Sequence, residues 1–85
     1  MIDFYQSCTT GGLYVALIDS FGNLIQLFKW GWRKRTFRKY HLNCGEDRKQ
    51  SYFRNEFWKY DPNWFLSIPI TSTIQRKAKR CLKRI

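Results

Sequence analysis

The chain is short of acids, histidine and the spacings that mark catalysis. Over 85 residues it carries six Asp and Glu against sixteen Lys and Arg, and its single histidine is His41. Any Ser-His-Asp or Cys-His arrangement would have to be built on that residue. "HLNC" places His41 three residues before Cys44, but no third group stands at a spacing that would orient the pair. As half of a metal site, H-x-x-C lacks the second ligand pair that zinc requires. A metal nuclease needs converging carboxylates, whereas Asp3, Asp19, Glu46, Asp47, Glu56 and Asp61 are scattered. Asp19 is expected to hydrogen-bond a turn, the commoner use of an aspartate between strands. "TTGG" lacks the G-x-x-x-x-G-K-[ST] spacing of a phosphate loop. These absences argue against an enzyme, and neither a cofactor nor a metal is expected.

Other absences bound the setting. Cys8, Cys44 and Cys81 are odd in number and far apart, with no C-x-x-C, which excludes a disulfide framework and favours a reducing, intracellular compartment. "MIDFYQSCTT" has neither the cationic nor the apolar region of a secretory signal, so the mature chain is expected to begin at or near Met1. The window Gly12–Trp30 is largely apolar, but Asp19, Asn23 and Gln26 interrupt it, and a carboxylate in mid-bilayer costs about 2.5–3.5 kcal/mol. A membrane span is therefore disfavoured. With no repeats and no Pro- or Ser-rich linker, residues 1–85 read as a single small domain. Such a domain buries only about 60% of its unfolded surface, so its stability should be modest. No RNP1-like run, GXXG loop or zinc finger is present.

What the chain has in quantity is aromatic rings and positive charge. Apolar residues make up 44% and aromatics 19%, a composition that supports a folded core. The net charge of +10 is segregated: residues 1–28 carry −2, 29–41 carry +6, 42–61 balance, and 62–85 carry +6. Clustered charge creates a field that scattered charge does not, and this one points to a polyanionic partner.

Hydrophobic periodicity predicts an α+β fold. "GGLYVALIDSFGNLIQLFKW" reads as a β-hairpin at about 13–30, with Leu13, Val15 and Leu17 on one face and Tyr14, Ala16 and Ile18 on the other. Gly22 and Asn23 suit positive φ in its turn. Both faces are apolar, so the hairpin should be central in a small antiparallel sheet. Residues 32–42 fit neither a clean strand nor a clean helix; every regular geometry that buries the rings also buries cations, so some of these side chains must stay outside. "DRKQSYFRNEFWKY" fits a strand with Phe53, Asn55 and Phe57 on one face or a helix aligning Phe53, Phe57 and Tyr60; the helix, stopped by Pro62, is preferred. "WFLSIPI", residues 64–70, alternates as an edge strand with Pro69. A basic amphipathic helix at about 73–84, capped by Ser72 or Thr73, sets Ile74, Ala78, Cys81, Leu82 and Ile85 in one stripe.

Two candidate sites follow. In "WGWRKRTFRKYH", Arg33, Lys34, Arg35, Arg38 and Lys39 suit phosphates, while Trp30, Trp32, Phe37 and Tyr40 are rings on which unpaired bases could stack. For Trp30 and Phe37 the competing expectation is core packing. On the C-terminal helix, Arg76, Lys77, Lys79, Arg80, Lys83 and Arg84 form a second basic face. The expected function is non-catalytic nucleic-acid binding, RNA over DNA because exposed rings favour unpaired bases. The alternative is a small basic interaction module, an inhibitor or assembly subunit, docking on an acidic protein through Trp and Arg. Peripheral membrane binding ranks below both, because the helix stripe has no aromatic anchor.

Overall fold

The computed structural model describes residues 2–9, 11–61, 63 and 69–83. Its fold is built on the strand β2 (Leu13–Ile18), in which Leu13, Tyr14, Val15 and Ala16 are all buried. A strand buried on both faces needs partners at both edges and a cover on each side. β1 (Ile2–Ser7) and β3 (Leu24–Gly31) pair with its edges. β4 (Thr36–Tyr40) extends the sheet beyond β3, and the short β5 (Phe57–Lys59) extends it beyond β1. The order is β4-β3-β2-β1-β5, antiparallel throughout. Two helices, α1 (Lys49–Glu56) and α2 (Ser72–Leu82), cover its faces, giving the expected α+β fold with a helix near the C-terminus.

Each helix seals a separate cluster. Leu13, Val15, Phe28, Trp30 and Phe37 meet Ile74 and Ala78 of α2. Tyr14, Ala16, Leu24 and Leu27 meet Phe53 of α1 and Phe57 of β5 on the opposite side. The alternation of β2 divides the clusters as its sequence predicts. β3 keeps step only through a register shift opposite Leu17 and Ile18: Leu17 pairs with Gln26 and Ile18 with Leu24, leaving Ile25 over. Such a bulge resets side-chain parity. It turns Leu24 onto the same face as Leu27 and leaves Ile25 exposed.

The β2–β3 turn uses Asp19 as expected. Its carboxylate Oδ1 accepts from the backbone N–H of Phe21 (2.9 Å) and of Asn23 (2.8 Å). Gly22 takes positive φ, and Asn23 does not.

Two expectations need correction, and one strand goes beyond them. The helix predicted through Phe57 and Tyr60 stops at Glu56, and Phe57 turns extended (φ −124°, ψ 124°) to pair with Ser7. The outer edge of β1 offers ladder hydrogen bonds to this aromatic stretch, and Phe57 still reaches the cluster under α1. The cap of α2 is Thr71, whose Oγ1 accepts from Ile74 N at 3.3 Å, one residue before the expected Ser72 or Thr73. β1 was not anticipated at all. Most of the strand expected at 64–70 lies outside the described residues; of it, Pro69 and Ile70 are described and are not in a strand. No described helix is long and apolar enough to cross a membrane.

Gln50 ties the start of α1 to the edge of the sheet. The Gln50 amide accepts from Leu24 N (2.8 Å) and donates to Leu24 O (3.1 Å), standing in for a neighbouring strand. Leu24 is 3% exposed, so its peptide group has little access to water. Gln50→Ala should cost about 1–3 kcal/mol, the penalty for stranding a buried donor, against a total stability of roughly 4–13 kcal/mol for a chain of this length. A urea midpoint unchanged by Gln50→Ala would contradict this. Burial pushes the Tyr5 phenol above its usual value of 10.0, and the charge of Asp3 adds to the effect. The neutral phenol is thus favoured in the folded state; its contribution is complete below about pH 10 and is lost as pH rises through the raised value. Melting curves above that pH should show a smaller alkaline loss for Tyr5→Phe than for the parent.

Candidate nucleic-acid interface

The stretch that resisted a regular reading is a hairpin end. Gly31 and Thr36 form the last pair of β3 and β4, and residues 32–35 make the turn between them. The turn closes through Arg35, whose φ of 50° lies in the left-handed region. A non-glycine residue pays about 1–2 kcal/mol to sit there. Turning the chain at this point separates the rings from the cations that precede and follow them. Trp30 and Phe37 pair across the strands and face α2, at 4% and 6% exposure. Neither can offer a face to a base, and both leave the set of candidate stacking rings. Tyr40 is half-buried on the opposite face, edge-on to Tyr14 at 5.2 Å. Trp32 alone of the four presents a ring, at 55% exposure. It stands perpendicular to Trp30 at 5.9 Å, so the core holds it in place.

α2 brings the second basic segment to this turn. Lys77 Nζ donates to the backbone carbonyl of Arg35 and lies 5.6 Å from the centre of the Trp30 ring. One turn along the backbone, the Cys81 thiol points to the Phe37 carbonyl at 3.9 Å. Thr73, Lys77 and Arg80 share the helix flank beside the hairpin, by their spacing of four and three. Arg76, Lys79, Arg80 and Lys83 are exposed. Arg84 lies outside the described residues. Two segments forty residues apart in sequence thus meet at Arg35 and Lys77.

Two depressions flank the hairpin end. One, of about 480 Å³, lies toward α2 and is bounded by Trp32, Arg35, Pro69, Thr71, Thr73 and Ile74, with Trp30 in its wall. The other, of about 290 Å³, is lined by Gly31, Arg33, Lys34, Thr36 and Arg38. Arg38 and Lys39 alternate along β4 and so point to opposite faces.

Among the described residues, no carboxylate forms an ion pair with these cations. The one ion pair among the described residues, Lys59 with Asp3 at 3.9 Å, is at the far edge of the sheet. Lys29 and Arg38 stand directly opposite each other across β3 and β4. Like charges so placed are destabilising. Lys29 finds partial relief from the rings of Tyr14 and Tyr40, each 5.9 Å away. Lys29 was absent from the candidates read from sequence, although it opens the same basic segment; only the strand register reveals that it faces Arg38. His41 is exposed, and the described residues contain no group of His, Cys, Asp and Glu able to hold a metal.

No protein-family model, no curated protein and no solved structure matches this chain.

Arg35 supplies a test of that geometry that is independent of any ligand. Arg35→Gly keeps the carbonyl that Lys77 holds and removes the left-handed penalty. It should melt higher than Arg35→Ala by about 1 kcal/mol, or about 4–8 °C in Tm. Equal melting temperatures would contradict the described turn.

Proposed function

We propose that this chain is a non-catalytic nucleic-acid-binding protein, with RNA preferred over DNA, that grips phosphates with the β3–β4 hairpin end and the basic flank of α2. The observation that carries the reading is the contact of Lys77 with Arg35. It joins two cationic segments, neither of which contains an Asp or Glu. Held cations without counter-charges repel one another and lower stability, and a polyphosphate relieves that repulsion while releasing its own condensed counterions. A depression lined by Arg33, Lys34 and Arg38 is suited to a phosphate. RNA is preferred because Trp32 is exposed beside the cations, and unpaired bases are the commoner partners of exposed rings. The free thiols of Cys8, Cys44 and Cys81, the first of them exposed, suit a reducing intracellular compartment.

The test is binding of labelled RNA and DNA oligonucleotides across a salt series. If about six phosphates are engaged, affinity for a single strand should fall about 300-fold between about 50 and 200 mM salt. Arg33→Ala combined with Lys34→Ala should weaken binding and flatten the salt slope by about 1.4 for a single strand. Binding that ignores salt, or that survives this pair of changes intact, would overturn the proposal. An acidic protein that binds where oligonucleotides do not would favour the interaction-module reading instead.

A further inference from the structure

Resting on that reading, we infer that the groove between Trp32 and the start of α2 is a seat for one unpaired nucleotide, which makes the protein selective for single-stranded over duplex nucleic acid. The groove's volume, about 480 Å³, falls in the range of small-ligand sites, about 300–1,000 Å³. Its walls divide by chemistry. Trp32, Pro69 and Ile74 give apolar surface for a flat base; Arg35, Thr71 and Thr73 give a cation and two hydroxyls for its phosphate and sugar.

Trp32 is fit for stacking because it is exposed and already held. Its perpendicular packing on Trp30 fixes it from below, and Trp30 is fixed in turn by Phe37 at 4.9 Å and by the Lys77 ammonium. A ring held in place gives up little further freedom on binding, which keeps the cost of association low. The phosphate side is equally prepared. Arg35 is anchored through its carbonyl, and α2 begins at this groove with no acid in its first turn, so its positive end is not neutralised by its own side chains. The Thr71 hydroxyl oxygen accepts from Ile74 N, which leaves its O–H free to donate.

Trp30 Nε1 is the buried side-chain donor without a hydrogen-bond partner among the described residues, and Trp30 forms part of the groove wall. Leaving such a donor unpaired costs about 1–3 kcal/mol. A base locked in a duplex cannot enter, because its face is covered by its neighbours and its edge by its pairing partner. From the groove, the strand crosses the hairpin end toward Arg33 and Lys34 on the other side.

The experiment compares the parent protein with Trp32→Ala, Trp32→Phe and the Arg33→Ala, Lys34→Ala pair. Each is titrated with a mixed-sequence single strand, its duplex, and the same single strand carrying abasic sites. The single strand should bind the parent more tightly than the duplex does. Trp32→Ala should lose about 5- to 150-fold on the single strand, the range for one stacked base, and little on the duplex. Trp32→Phe should retain most of the affinity, and the abasic strand should bind the parent about as weakly as the intact strand binds Trp32→Ala. The Arg33 and Lys34 pair should weaken single strand and duplex alike. Unchanged single-strand binding by Trp32→Ala, or an equal loss on both forms, overturns the nucleotide seat while leaving nucleic-acid binding in place. Failure of every strand to bind the parent removes both. Polyglutamate binding that depends on Trp32 as strongly as the single strand does overturns the seat in favour of an acidic peptide.

Discussion

β2 is apolar on both faces, and much of the structure follows from that constraint. Tyr14 and Ala16 need a cover on one side, Leu13 and Val15 on the other, and the chain supplies α1 and α2 in turn. Burial at about 25 cal/mol per Å² is the dominant favourable term, and a domain this small has no surplus with which to leave either face open. α2 is therefore held on the sheet by Ile74 and Ala78, and its polar flank is carried to the edge near β4. The meeting of Lys77 with Arg35 is a consequence of core packing. The hydrophobic effect assembles the basic surface that electrostatics alone would push apart.

That surface carries visible strain. Arg35 sits in the left-handed region, Lys29 faces Arg38, Trp30 Nε1 is buried without a partner among the described residues, and no acid lies in the turn, in β4 or in α2. Each feature costs a modest amount, and each lies around the same hairpin end. Elsewhere the same chain satisfies itself with care: Asp19 closes its turn twice over, and Gln50 replaces a missing strand at Leu24. Unfavourable features gathered in one region of an otherwise satisfied fold are the pattern expected where a ligand completes the interactions. A polyanion carrying bases matches the charge and the exposed ring together.

The central hairpin, the role of Asp19 and the C-terminal helix were legible in the sequence, because each depends on periodicity or turn chemistry within a few residues. What stayed hidden depends on pairing across the chain. β1 has mixed faces, with Phe4 and Gln6 on one side and Asp3 and Tyr5 on the other, and becomes a strand because β2 and β5 flank it. Phe57 has the spacing of a helix residue and the neighbours of a strand residue, and the open edge of β1 decides between them. Sequence grouped Trp30, Trp32, Phe37 and Tyr40 as one set of rings. Only the register, which sets Trp30 against Phe37 and aims both at α2, separates two core rings from the one at the surface. Ile25 escapes the alternation for a similar reason: its bulge is invisible until β2 and β3 are aligned.

The proposed binding surface is one end of the molecule, formed by two distant segments. Backbone amide shifts recorded by NMR during titration with a single-stranded oligonucleotide test it most directly. The account predicts changes confined to residues 31–39 and 71–80, appearing together, with the β2–β3 turn around Phe21 and the α1 surface around Tyr52 undisturbed. Shifts centred on Phe21 and Tyr52, or shifts in one basic segment without the other, would contradict it.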